Sequence, residues 1–128
     1  MSLSESYSRP RPSGGIELWS WLFMRLSGVA LLLLAVGHMV IMHLINNVDQ
    51  MNYAFVAARW QSWFWRGYDL LLLTLAMIHG VAGMRVICTD YIHEPGRLRA
   101  ALGAIYLFCG GLMALGLYVA IFFQPVVR

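Results

Sequence analysis

The sequence predicts an all-α membrane protein with three transmembrane helices. Hydrophobic residues make up 60% of the 128-residue chain and charged residues only 12%, a balance typical of membrane proteins. Three apolar stretches, at about 19–44, 67–88 and 100–123, each reach the roughly 20 residues that a helix needs to cross the hydrocarbon core. The first stretch is too long for a signal-peptide core and no small-x-small cleavage site follows it, so we expect it to persist as an anchor.

The arginine distribution predicts a cytoplasmic N-terminus and an external C-terminus. All nine basic residues are arginine, and this orientation puts six of them inside and three outside, as the positive-inside rule requires. The net charge of +3 is thereby explained without nucleic-acid binding, for which the sequence offers no clustered basic face. The inside set is Arg9, Arg11, Arg25, Arg85, Arg97 and Arg99, and the outside set is Arg59, Arg66 and Arg128.

Two segments outside the predicted spans have distinct compositions. Residues 1–18 begin with a stretch rich in Ser, Pro, Arg and Gly, which predicts a flexible cytoplasmic tail in front of a single transmembrane domain at 19–128. The aromatic segment 53–65 is too polar to span the membrane, and it predicts an interfacial helix with its tryptophans at headgroup depth. Further along, Pro95-Gly96 is expected to end any helix that continues from the second span.

The run from His79 to Tyr91 carries the strongest functional signal. Apolar residues at 68–78 lead into His79, and an ionisable side chain at membrane depth is costly enough to indicate a function. The alternative is a histidine that hydrogen-bonds across a helix interface, with the small residues around it serving close packing alone. The small residues around His79 are Ala76, Gly80, Ala82 and Gly83. They leave room for a flat group such as a porphyrin, whose iron takes imidazole as an axial ligand.

Asp90 and Tyr91 end the same run and suggest a quinone site. Eleven residues separate His79 from Asp90, close to three helical turns, which places both on nearly the same helix face about 16 Å apart. A phenol can donate a hydrogen bond to a quinone carbonyl, and a neighbouring carboxylate can handle protons. A capping role or a place in a solvated loop is the alternative for this pair.

The first span holds a second group of polar residues. Arg25 is suited to pair with an anionic group such as a haem propionate, with Arg85 as a competing candidate, although Arg25 can also snorkel to the headgroups and Ser27 can bond back to its own helix. Counted from the two arginines, His38 lies about 20 Å deep and His79 about 9 Å. We therefore do not expect them to share one haem, and His38 is either the ligand of a second haem or a packing histidine.

These motifs resemble the D-type hydrophobic membrane anchor of succinate dehydrogenase (succinate:quinone oxidoreductase, respiratory complex II), which is of the cytochrome b556 type. The match is specific in the run that ends with Asp90-Tyr91, and Arg25-x-Ser27-Gly28 with His38 supports it. The resemblance implies a protein of a bacterial cytoplasmic (inner) membrane that pairs with a second membrane anchor, of the C type. Together the two anchors bury a b-type haem and form a quinone site, docked to an iron–sulfur subunit and a flavoprotein subunit.

By the resemblance, His79 is the axial ligand of the haem iron, and Tyr91 with Asp90 binds the quinone. Arg25 matches a position near the haem propionates, while His38 resembles the ligand of a second haem in two-haem members. The predicted cofactor-binding set is completed by Ser27 and Arg85. The implied cofactors are haem b, one or two, and a quinone, either menaquinone or ubiquinone.

The predicted function is electron transfer from succinate oxidation, a step of the tricarboxylic acid cycle, to the membrane quinone pool. No catalytic residue for succinate oxidation is expected in this chain, because it carries neither a nucleotide-binding glycine motif nor an iron–sulfur cysteine set. It would be a non-flavin subunit without a complete active site. The alternatives are a fumarate reductase anchor that works in reverse and a cofactor-free structural anchor or assembly protein.

Overall fold

The computed structural model describes residues 14–123, apart from the side chain of Glu17, and this part of the chain is helical without β-strands. Three of its helices are long and apolar enough to cross a membrane, which confirms the predicted all-α fold with three spans. The elements in order are α1 (Gly15–Met39), which continues into a π-helical stretch (Val40–Ile45), a 3-10 turn (Val48–Gln50), α2 (Tyr53–Trp60), α3 (Trp63–Tyr91) and α4 (Pro95–Phe122).

The helices extend beyond the apolar stretches that predict them. Helix α3, which forms the second span, begins at Trp63 rather than near 67. Helix α4, which forms the third span, begins at Pro95 rather than near 100. Pro95 therefore starts a helix here instead of only ending one, because the first helical turn tolerates a residue without an amide hydrogen. At the other end of the chain, α1 begins at Gly15, so most of the tail predicted at 1–18 lies outside the described residues.

Helix α3 is the centre of the bundle. Both α1 and α4 pack along it, whereas α1 and α4 make few contacts with each other. Close approach is possible because glycines face large side chains: a Cβ on Gly37 would lie 3.1 Å from the Tyr68 hydroxyl, and the Leu73 side chain fills the space beside Gly116. The Tyr68 hydroxyl also donates a 2.5 Å hydrogen bond to the Leu34 carbonyl of α1.

Few side chains are enclosed by the chain itself. Of residues 14–123, those buried are Ser27, Ala57 and Cys88, while large apolar side chains along all three spans are exposed. Such faces are stable only against lipid or against other membrane helices. The arginine rule still predicts which end lies in the cytoplasm, so the two ends of the bundle are named here by residues they carry, the Tyr91 end and the Asp69 end.

The aromatic segment predicted as one interfacial helix is divided in two. Trp60 ends α2, and after Gln61 the extended backbone of Ser62 breaks the helix, so that Trp63 and Trp65 belong to the start of α3. Helix α2 is capped at its beginning by Asn52, whose side chain accepts a 3.0 Å hydrogen bond from the Phe55 amide. The headgroup depth of this segment stays a prediction.

Candidate functional site

His79 lies on the side of α3 that packs against α1. Its Nδ1 atom is 2.7 Å from the hydroxyl oxygen of Ser27, which is only 4% exposed. That hydroxyl donates its single hydrogen to the Phe23 carbonyl at 2.5 Å, the usual back-bond of a helical serine. The hydroxyl oxygen must then accept from His79, so the imidazole proton lies on Nδ1 and the lone pair on Nε2.

This arrangement fits a haem ligand. A metal-bound histidine characteristically donates its second ring nitrogen to a neighbouring acceptor, which fixes the tautomer and the ring orientation. His79 Nε2 makes no hydrogen bond within residues 14–123, and it is not among their buried unpaired atoms. Beside it, Ala76 and Gly80 are exposed, and a Cβ on Gly80 would meet nothing within 4 Å. Of the four small residues, Ala76 and Gly80 are thus open, whereas Ala82 and Gly83 are half-buried and a Cβ on Gly83 would lie 3.8 Å from Met24.

Arg25 and Arg85 line one cleft together. This cleft, of about 1450 Å³, lies along α3 between α1 and α4 and has a largely apolar floor. The Arg25 guanidinium stacks 3.6 Å from the centre of the Trp21 ring, one turn nearer the start of α1. His79 is not part of the cleft lining, so the structure groups the two arginines with each other and His79 with Ser27. The proposed propionate contacts of the arginines stay a prediction.

Asp90 and Tyr91 end α3 at the surface. Tyr91 is 80% exposed, and neither side chain forms a hydrogen bond or ion pair within the described part of the chain. Helix α3 is unbroken from His79 to Tyr91, so the three-turn spacing inferred from the sequence holds in the structure. Nearby, Glu94 is engaged with Arg97 at 2.8 Å. The acid and the phenol are thus unengaged by these residues and open to a ligand or a partner.

A polar cluster that the sequence analysis missed lies at the other end of the bundle. Asp69 accepts hydrogen bonds from Arg59 at 3.1 Å and from the Trp60 indole at 3.0 Å, and its Oδ1 is 3.6 Å from His38 Nδ1. The description of 68–78 as apolar was wrong at this residue. A carboxylate inside a predicted span was the signal available, because such a group is costly in the membrane. These four residues are called the Asp69 cluster below.

The two histidines lie at different levels of the bundle. Ser27 marks the level of His79, and His38 follows Ser27 by eleven residues in the same helix, or about 16 Å along its axis. This separation agrees with the expectation that they do not share one haem. Within residues 14–123, no three His, Cys, Asp or Glu side chains gather into a metal site.

Three membrane-length helices with exposed apolar faces, which hold His79 beside the buried Ser27, define an all-α membrane protein. The chain belongs to the succinate dehydrogenase/fumarate reductase transmembrane subunit family, whose model matches residues 3–119. No curated protein shows a significant match to the chain. Family membership makes it a membrane anchor associated with the other subunits of such an oxidoreductase.

Proposed function

We propose that this chain is the D-type membrane anchor of a succinate dehydrogenase in a bacterial cytoplasmic membrane. In this role it pairs with a C-type anchor and passes electrons from succinate oxidation, carried out on the flavoprotein and iron–sulfur subunits, to menaquinone or ubiquinone. The observation that carries the proposal is the Ser27–His79 hydrogen bond, which leaves an imidazole lone pair on Nε2 for a haem iron.

Each residue of the site has a defined task in this proposal. His79 holds the haem through Nε2, while Ser27 holds the Nδ1 proton and keeps the ring from turning. When bound, the haem supplies an iron that takes up and releases one electron at a time. Arg25 and Arg85, which line one cleft, supply the positive charge that two propionates need.

At the Tyr91 end, the phenol donates a hydrogen bond to a quinone carbonyl and polarises it for reduction. Asp90, next to it, exchanges protons with water, because reduction of a quinone to a quinol consumes two electrons and two protons. The exposure of both groups supports this role, since a quinone that diffuses in the membrane must reach them from outside the chain. His38 is proposed as the ligand of a second haem.

The proposal is tested by absorption spectra of the purified complex in detergent, recorded as reduced minus oxidised. We expect His79→Ala to remove the contribution of its haem to the b-type α-band, because the substitution removes the proposed axial ligand, while the contribution of a His38-dependent haem should remain. The matched control is His43→Ala, since His43 is exposed in the π-helical stretch and has no assigned role. A wild-type complex without any b-type band would leave only the cofactor-free anchor.

A further inference from the structure

We propose that Asp69 is the positioning residue of a second imidazole site, at which His38 binds a haem iron through Nε2. The inference rests on the proposed function, because it takes His38 as the ligand of the second haem. It assigns a role to a carboxylate that the succinate-to-quinone reaction described above does not use. Three features support it: the hydrogen bonds that hold the Asp69 carboxylate, the position of His38 Nδ1 beside that carboxylate, and the outward position of the rest of the imidazole ring.

The Asp69 carboxylate is fixed in place from two sides. Each of its oxygens accepts one hydrogen bond, Oδ1 from Arg59 and Oδ2 from Trp60, so that the group cannot rotate without losing both. Arg59 is itself only 8% exposed, and its guanidinium lies 4.2 Å from the centre of the Trp65 ring. A charged pair enclosed in this way is expensive to desolvate, and ordinary hydrophobic packing would stabilise the helix ends as well.

His38 turns one nitrogen toward that carboxylate. Its Nδ1 atom is buried without a hydrogen-bond partner among the described residues, and the nearest charged atom is Asp69 Oδ1 at 3.6 Å. A negative charge on this side favours the tautomer that carries its proton on Nδ1. The ring of Tyr68 lies nearly parallel, at 8° and 6.3 Å, and limits how far the imidazole can tilt.

The other edge of the imidazole faces outward. The His38 side chain is 36% exposed although its Nδ1 is buried, so the exposure belongs to the rest of the ring, and Nε2 is not among the buried unpaired atoms. The lone pair on Nε2 is therefore accessible to a group held between this chain and a partner. As at His79, an oxygen atom lies behind Nδ1, but the two sites differ: His79 is hydrogen-bonded to a neutral hydroxyl at 2.7 Å, whereas the oxygen facing His38 belongs to a carboxylate at 3.6 Å.

This difference has a measurable consequence. An anion beside Nδ1 gives the imidazole more negative character, and a more basic ligand stabilises ferric over ferrous iron. In the whole purified complex, we expect Asp69→Asn to shift the equilibrium of the His38-dependent haem at least tenfold toward ferrous iron. For one electron this is a rise of about 59 mV in its midpoint potential. The His79-dependent haem should keep its potential.

The experiment is a redox titration followed by absorption and by electron paramagnetic resonance. Asp49→Asn is the matched control, because Asp49 is exposed in the 3-10 turn outside the spans, and it should leave both potentials unchanged. An unshifted potential in Asp69→Asn overturns the proposal. If His38→Ala keeps every haem signal of the wild-type complex, the proposal is also overturned. The His79-dependent band tests the proposed function separately.

Asp69→Asn also weakens the ion pair with Arg59 and can prevent assembly. Trp60→Phe then provides the test, since it keeps the carboxylate and removes one of its hydrogen-bond donors. The carboxylate charge is then less neutralised, and we expect the potential of the His38-dependent haem to fall. An unchanged or higher potential in Trp60→Phe counts against Asp69 as the positioning residue.

Discussion

Replacing Ser27 by alanine tests whether the hydroxyl behind His79 holds the haem ligand in place. The substitution removes the acceptor of a 2.7 Å hydrogen bond at a residue that is 4% exposed. Nδ1–H is then left without its partner in an apolar interface, which costs about 1–3 kcal/mol. The Phe23 carbonyl stays within the helix and keeps its backbone hydrogen bond. Nearly all of the loss therefore falls on the orientation of the imidazole.

This loss corresponds to a large change in haem affinity. Since 1.4 kcal/mol is a factor of ten, about 1–3 kcal/mol predicts a haem affinity weakened by roughly 5- to 140-fold, which brackets the roughly 10- to 100-fold usual for groups that orient metal ligands. The assay is the haem-to-protein ratio of the purified complex after transfer of haem to apomyoglobin. Ser62→Ala is the control, because Ser62 is exposed and makes no side-chain capping bond. Wild-type haem retention in Ser27→Ala would refute the reasoning.

Two further predictions concern the quinone and the packing of the helices. Tyr91→Phe should lower succinate:quinone reduction at least tenfold and leave succinate oxidation by a soluble dye intact. The control Tyr118→Phe, at an exposed tyrosine of α4, should change neither rate. Equal quinone-reduction rates in Tyr91→Phe and the wild type would count against the phenol. Gly116→Leu should destabilise the complex by about 1–3 kcal/mol, because a leucine of α3 already fills that space. Gly103→Leu, where a Cβ meets nothing, should leave the thermal unfolding temperature in detergent unchanged, and equal shifts in both variants would contradict the packing argument.

The spans could be predicted because hydrocarbon thickness sets a minimum apolar length. Their ends could not, because a helix continues through polar residues until a cap or an extended residue stops it. Trp63 lies beyond the apolar stretch that predicts α3 and is nevertheless helical. Pro95 illustrates the same limit, since a proline predicts both the end of one helix and the first turn of another, and only the three-residue connection after Tyr91 decides between them.

The candidate site was predicted residue by residue, but its contacts were not. Ser27 and His79 each stand out on their own helix, yet no sequence spacing indicates that they touch across 52 positions. Their contact depends on the register of α1 against α3. Asp69 was missed for a different reason: describing 68–78 as one apolar stretch hides a single carboxylate among mostly apolar neighbours, even though that carboxylate lies beside three other polar side chains in the folded chain.

The length of α3 gives Asp90-Tyr91 at one end and the Asp69 cluster at the other end unequal access to water. Its 29 residues span about 44 Å, and the hydrocarbon layer is about 30 Å thick, so a centred helix projects about 7 Å at each end. Tyr91 then stands in the hydrated headgroup layer, whereas Asp69, six residues from the start of the helix, lies about 2 Å inside the hydrocarbon. Protons can therefore reach the Tyr91 end directly from bulk water, and the Asp69 carboxylate keeps Arg59 as its counter-ion in a drier layer.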